Sequence, residues 1–270
     1  MFINGSFNRL LGGMLAIAIL ASASITSAAK AADWTVGANI GNVPWEFAEK
    51  DGSYTGFEVE LVNELGKRLN QTVDIQNLPF EGVIPALLSD RIQIGIASMT
   101  ITDERLKSLA FAQPYFDADQ SVTTLATSSV TDLNGIKGTR VAVESAATSD
   151  IWATKNEAEY SFETINRYDS MSSAILDLQA GRVDAYIADM PAIAYYIKDK
   201  PQFHIVARIP TGEQYSLIFN KNFADIGAIN GAISEMKTDG FLASLHKKWF
   251  GTEPAADSST VVVKPLPAVK

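Results

Sequence analysis

LLSDRIQIGIAS, residues 87–98, and LQAGRVDAYIAD, residues 178–189, are the two stretches on which the fold turns. Each reads as a helix end, a polar turn and then a strand, with Ile92, Ile94 and Ile96 alternating along the first strand. At an offset of 91 residues they share Leu87 with Leu178, Arg91 with Arg182, Ile96 with Ile187 and Ala97 with Ala188. Internal similarity of this kind predicts two similar lobes. Superposing them places Ser98 and Asp189 at equivalent positions, at the carboxyl ends of their strands. Ligands of open α/β sheets bind outside those ends, so Ser98 and Asp189 are expected on opposite walls of one cleft.

Around these stretches strand and helix signals alternate, which predicts an α/β protein with mostly parallel pairing. WTVGANI (34–40) and TVDIQNL (72–78) read as strands. Between them GFEVELVNELGKRL carries Phe57, Leu61, Leu65 and Leu69 every fourth residue, the buried stripe of a helix. A short helix follows near Val83–Leu88. The second unit begins near Arg140 with VAVE, then a helix over 148–158, TINRY, a helix over 170–180 closed by Gly181, VDAYIA, a helix around Ile193–Lys198, and FHIVA. QSVTTLAT (120–127), EQYSLIFNK (213–221) and two helices ending at KKWFG (247–251) complete the pattern. Ile226, Ile229, Ile233 and Met236 mark one helix face, with Gly240 as a stop. From Thr252 the chain is rich in Pro, Ser and Ala without periodicity and reads as a flexible tail.

Length and charge narrow the function. The 270 residues suffice for a substantial core, and a net charge of −9 disfavours a phosphate-tracking surface, so nucleic acid is not an expected partner. With 0 cysteines and only His204 and His246 as imidazoles, disulfides, thiol nucleophiles, a lipoprotein cysteine and cysteine- or histidine-rich metal centres drop out; no cofactor is expected. Arg9, the apolar run Leu10–Leu20 and the small residues to Ala32 form the layout of a secretory leader. Ala29-Lys30-Ala31 places the cut after Ala31, with Ala28 or Ala29 as near alternatives and an uncleaved anchor as the competing reading. The expected compartment is a bacterial periplasm.

SMTITDERLK is the most informative local segment. Thr102 suits a helix N-cap, and Asp103 and Glu104 suit the first turn, where the dipole favours negative charge. Arg105 opposes that dipole. Two readings stand from the residues alone: a cation placed to hold an anion such as a carboxylate, or a solvated arginine paired with Asp103 or Glu104.

Seven stretches in order, VGANIGNVPWEF, GSYTGFEVELVNELGKRL, PFEGVIPALLSDRIQ, IASMTITDERLKSLAFAQPYF, DLNGIKGTRVAV, LQAGRVDAYIAD and DGFLASLHKKWFG, resemble the periplasmic polar amino-acid-binding proteins of ABC importers, solute-binding protein family 3. The resemblance covers about 34–251. It implies a two-lobed periplasmic-binding-protein fold of type II, each lobe a mostly parallel sheet flanked by helices, joined by a two-segment hinge. The expected organisation is a leader over 1–31, lobe 1 over 32–119 and 215–251, lobe 2 over 120–214, and a tail over 252–270. Crossings are expected near Asp119-Gln120 and Gln214-Tyr215.

By the same resemblance, Arg105 grips a ligand α-carboxylate, helped by the Ser98-Met99-Thr100 segment. Phe80 stacks on the ligand, Trp45 forms the other apolar wall, Thr148 offers its hydroxyl and amide, and Asp189 accepts the α-ammonium. Asn39 and Glu144 stand where relatives meet the ligand side chain. Each has a plainer reading: Phe80 and Trp45 as core aromatics, Asp189 as a cap for the following helix, Ser98 and Thr100 as strand-end hydroxyls, Glu144 as a solvated rim residue. Departures from the family pattern are Ala146-Ala147, where a Gly-Ser pair is usual, Asn39, where binders of cationic amino acids carry an acid, and Asn42, where many carry an aromatic. The small residues Asn42, Ala97, Ala146 and Ala147 keep an opine-like conjugate among the candidate ligands. The expected function is a monomeric, non-enzymatic receptor that delivers a polar amino acid or derivative to a membrane permease. An enzyme of the cyclohexadienyl or arogenate dehydratase type, with Glu144 as general acid, and a ligand-presenting sensor are the alternatives.

Overall fold

Phe57, Leu61 and Leu65 are fully buried and close one face of a parallel sheet, as their spacing requires. The structure, a computed structural model, describes residues 32–269; the leader lies outside the described residues. In chain order the elements are β1 (Trp34–Ala38), β2 (Phe47–Ala48), β3 (Tyr54–Thr55), α1 (Phe57–Leu69), β4 (Val73–Asn77), α2 (Phe80–Leu88), β5 (Ile94–Ile96), α3 (Asp103–Ser108), β6 (Leu109–Phe111) and the long β7 (Phe116–Leu125). Then come β8 (Arg140–Glu144), α4 (Thr148–Lys155), α5 (Glu157–Tyr160), β9 (Thr164–Tyr168), α6 (Met171–Gln179), β10 (Ala185–Asp189), α7 (Met190–Ile197), β11 (Phe203–Tyr215), β12 (Ile218–Asn220), α8 (Ile226–Thr238) and α9 (Phe241–Phe250).

Two five-stranded sheets result, ordered β4-β1-β5-β12-β6 and β9-β8-β10-β7-β11. Read outward in this way, both run parallel, parallel, antiparallel, antiparallel. The internal similarity in the sequence is therefore a repeat of topology: β5 of one sheet corresponds to β10 of the other, and β1 to β8. β7 and β11 pair antiparallel from Phe116↔Tyr215 to Phe203↔Leu125, and join the two lobes. At the lobe 1 end Ile101 N–H donates to Gln214 O at 2.9 Å and Tyr115 N–H to Tyr215 O at 3.0 Å.

Three local expectations change. FHIVA and EQY are one strand, β11, because both pair with β7; Pro210-Thr211-Gly212 bulges between the register positions Ile209↔Gln120 and Glu213↔Ala118. Gly212 takes φ +63° there and donates its N–H to Asp119 Oδ1 at 2.8 Å. The helix expected over 148–158 breaks at Asn156, whose side chain donates to Trp152 O at 2.7 Å and so ends α4 before α5 starts. The segment read as a flexible tail is instead seated on lobe 1. Ser259 and Thr260 are buried, Ser259 donates its N–H (2.7 Å) and hydroxyl (2.6 Å) to the Asp117 carboxylate, and Lys237 Nζ bridges Pro114 O (2.7 Å) and Val262 O (3.0 Å). Polar partners rather than an apolar face hold this segment, which is why it shows no periodicity.

Candidate functional site

A cavity lies between the lobes at the carboxyl ends of β5 and β10, with a volume of about 30 Å³. Its lining includes Phe80, Ser98, Thr100 and Arg105 from lobe 1 and Glu144, Thr148 and Asp189 from lobe 2. These are seven of the ten residues expected from the sequence.

Arg105 is built as a buried cation. Thr102 caps α3 by accepting the Arg105 N–H at 3.2 Å, which fixes the backbone and turns the side chain inward. Its guanidinium donates to two carbonyls, Thr100 O (2.9 Å) and Ala146 O of lobe 2 (3.4 Å), and lies 5.6 Å from the centre of the Phe80 ring. Among the described residues no carboxylate is hydrogen-bonded to it. Glu104 pairs with Lys107 instead, so the surface reading of Arg105 is not the one realised. Burial pulls the Arg105 pKa down, while the charges of Asp189 and Glu213 push it up.

Ser98 owes its place to α1. Glu58, buried in the first turn of that helix, accepts the Ser98 N–H on both oxygens (3.0 and 2.9 Å) and the Tyr115 hydroxyl. That clamp holds Ser98 at φ +44°, a region non-glycine residues rarely adopt. Beside it Glu46 is fully buried and its carboxyl is pushed well above the usual range, by burial first and then by the Glu58 charge. Among the described residues Glu58 has two donors, the Ser98 N–H and the Tyr115 hydroxyl, and Glu46 has Asn42 alone, with Oε2 otherwise unpartnered, so the proton the pair shares belongs on Glu46. Asn42 also donates to Ser98 Oγ at 3.0 Å.

Across the cavity, Asp189 occupies the N-cap position of α7 yet makes no capping bond. Its carboxylate takes Gln120 Nε2 at 2.5 Å and the Tyr215 hydroxyl, so the capping role is not realised. Burial, and secondarily the charge of Glu213, raise it to about 7. Glu144 ends β8 and accepts Asn39 Nδ2 at 3.1 Å; burial is the main cause that raises it to about 7. Asn39 thus acts from behind Glu144 rather than at the cavity wall.

Trp45 and Met99 do not reach the cavity. Trp45 has 0 % exposure and packs edge-on against Phe57, Phe116 and Tyr215 at centroid distances of 5.4, 4.7 and 5.3 Å, so it is a core residue and not a ligand wall. Met99 is likewise buried in the apolar cluster around Val83, Leu106 and Ile218, and only its carbonyl is engaged polarly, by Ser216 N–H at 3.0 Å. Ala97, counted among the small residues that leave room, also points into that cluster.

Gln120, Glu213 and Tyr215, on the crossover strands β7 and β11, are site residues that the sequence reading missed. Glu213 accepts from Thr100 Oγ1 (2.7 Å), Thr148 Oγ1 (2.9 Å) and Gln120 Nε2 (3.0 Å). The available signal was position: strands that cross between lobes form the floor of whatever lies between them. Arg105 is the one basic side chain among the described residues lining the cavity.

Residues 34–252 match the model of the bacterial extracellular solute-binding proteins, family 3. The L-cystine-binding protein TcyJ of Escherichia coli is 30% identical over 90% of this chain and 95% of its own. The arginine-binding extracellular protein ArtP of Bacillus subtilis is 30% identical over 78% of this chain and 83% of its own. Among solved structures, the arginine-, lysine-, histidine-binding protein ArtJ of Geobacillus stearothermophilus superposes with a TM-score of 0.77 at 30% identity, covering 83% of this chain and 97% of that one. An ancestral arginine-binding protein bound to arginine gives 0.76 at 33% identity, covering 81% and 98%. The fold is the type II periplasmic-binding-protein fold, and the role is solute binding rather than catalysis. With its duplicated sheets, its crossover strands and a charged cavity between them, the chain belongs to the bacterial extracellular solute-binding proteins of family 3.

Proposed function

We propose that this protein captures an α-amino acid with a cationic side chain between its lobes and hands it to the permease of an ABC importer. The observation that carries the reading is Arg105: a buried guanidinium bonded, among the described residues, only to carbonyls, facing the Asp189 carboxylate across the cavity. A zwitterionic head group satisfies both, its carboxylate on Arg105 and its ammonium on Asp189, while Phe80 supplies an apolar wall. Glu144 then remains as a buried carboxyl with no cation beside it among the described residues, which favours a ligand with a second positive charge. The relatives named for arginine, lysine and histidine support that class. Where Asn39 replaces the expected acid, Glu144 brings a carboxyl to the same place from the other lobe. A space of about 30 Å³ holds a few waters at most and not an amino acid, so the lobes part to admit a ligand, in the manner of hinge closure. The protein acts as a monomer in the periplasm after loss of its leader.

Thermal-shift and calorimetric titration with arginine, lysine, ornithine, histidine, glutamine, cystine and octopine test this. Arginine or another cationic amino acid is expected to bind best. Arg105→Ala and Asp189→Ala should each lose about 3–5 kcal/mol, the cost of stranding one member of a buried charge pair, which is at least about a hundredfold in affinity. Binding of both variants within threefold of wild type would show that the cleft does not read an amino-acid head group. Preference for octopine would move the ligand class to opine-like conjugates.

A further inference from the structure

Glu213 is buried on β11, and its carboxylate is held by one hydroxyl from each lobe, Thr100 and Thr148, and by the Gln120 amide on the crossover strand between them. Both threonines line the cavity. Arg105, whose side chain feels the Glu213 charge, starts from the same loop as Thr100. A cation and two hydroxyls around one carboxylate make a complete anion seat, and here a side chain of the protein is already on the hydroxyls. Building on the head-group reading above, we propose that Glu213 is a resident competitor for the ligand's α-carboxylate, one that an incoming amino acid must displace from Thr100 and Thr148.

The backbone next to Glu213 is built with slack. The register of β11 against β7 slips immediately before it, through Pro210, Thr211 and Gly212, and Gly212 takes φ +63° with open space, among the described residues, where a Cβ would stand. Asp119 braces this bulge from β7, accepting Gly212 N–H at 2.8 Å and pairing with Arg208. The brace holds residues 208–212 and leaves the Glu213 side chain to be fixed by its three donors. Displacing it costs those bonds, so the ligand binds more weakly than the seat by itself allows and leaves more readily when the lobes part, which suits a carrier that must release its cargo.

The alternative for Glu213 is a second acceptor for the ligand ammonium, beside Asp189, and the two roles predict opposite signs. Calorimetry on wild type, Glu213→Gln, Glu213→Ala and Arg105→Ala, each verified as folded by circular dichroism, would use L-arginine, L-glutamine and L-cystine as probes. Competition predicts that Glu213→Gln tightens every probe that binds by about tenfold, the worth of a charge-assisted hydrogen bond. The factor should be similar for each probe because the head group is shared, and Glu213→Ala should tighten binding at least as much. Unchanged or weaker binding in both Glu213 variants, with Arg105→Ala still abolishing it, overturns the competitor and leaves the head-group reading standing. If Arg105→Ala binds like wild type, or no probe binds wild type or the Glu213 variants, the head-group reading fails and the competitor falls with it.

Discussion

Asn39, one residue past β1, donates a 3.1 Å hydrogen bond to Glu144, the last residue of β8. β1 and β8 are the same member of their respective sheets, so the duplicated topology brings its own counterparts face to face. Ser98 and Asp189, just after β5 and at the end of β10, line the same cavity from the other pair of corresponding strands. The site is therefore made by the repeat, and the differences between the copies, Asn against Glu and Ser against Asp, give it polarity.

That polarity predicts proton release on binding. Glu144 titrates at about 7 because burial disfavours its charged form. A guanidinium or ammonium placed beside it favours the charged form, so binding expels the proton that the free protein carries below pH 7. The affinity for arginine should rise from pH 6 to pH 8 more steeply than that for glutamine, since Asp189 contributes to both but Glu144 only to the first. Glu144→Gln should make the two slopes equal. Calorimetry in buffers of different ionisation enthalpy counts the protons directly, and equal slopes in wild type would remove Glu144 from side-chain recognition.

The same two carboxyls should weaken the unliganded fold at neutral pH. Glu144 and Asp189 are raised to about 7 from ordinary values of 4.5 and 3.8, so between those limits the folded chain binds more protons than the unfolded one. Stability from these groups is then present at low pH and is lost as pH rises through about 7. Glu144→Gln and Asp189→Asn should raise the melting temperature most at pH 8, less at pH 5 and little near pH 4. Equal shifts at all three pH values would place the effect in packing rather than in charge.

How much of this was legible beforehand depended on the kind of signal. Element order, the repeat and the Thr102 cap follow from periodicity and local charge, and the structure contains them; Arg105 and Asp189, expected from local charge and the family pattern, line one cavity from its two sides. Trp45 and Met99 failed because a motif fixes sequence position but not which way a side chain faces, and both face the core of lobe 1. Glu213, Gln120 and Tyr215 escaped because each looks ordinary within its own strand; their role arises only when β7 and β11 pair and carry them beneath the cavity. The tail escaped for a related reason, since Ser259 and Lys237 are matched to partners far away in the chain.

Ala146 offers a test of backbone strain. It sits at φ +62° in the turn before α4, where a β-carbon is unfavourable, and its carbonyl is turned toward Arg105. Ala146→Gly should stabilise the protein by about 1 kcal/mol, the left-handed penalty of a non-glycine residue less the added freedom of the unfolded chain. The unfolding midpoint should rise while the affinity stays within about threefold. A lower midpoint would mean that the alanine methyl makes a packing contribution larger than the strain.

Glu58 should matter more than its distance from the ligand suggests. Both of its oxygens accept the Ser98 N–H, and one also accepts the Tyr115 hydroxyl, all within a fully buried space shared with Glu46. Truncation in Glu58→Ala leaves the Ser98 N–H, the Tyr115 hydroxyl and the Glu46 proton without an acceptor, and frees Ser98 from φ +44°. The expected loss is about 3–5 kcal/mol of stability, the scale for removing one member of a buried charged network. Ligand affinity should fall as well, because Ser98 and the Thr100 that follows it in the chain lose their fixed positions. Tyr115→Phe removes a single bond to the same carboxylate and should cost only about 1–3 kcal/mol, with affinity nearly unchanged. Denaturant unfolding and calorimetry on the two variants separate these outcomes; equal, small effects from both would mean that Ser98 is held by packing and not by Glu58.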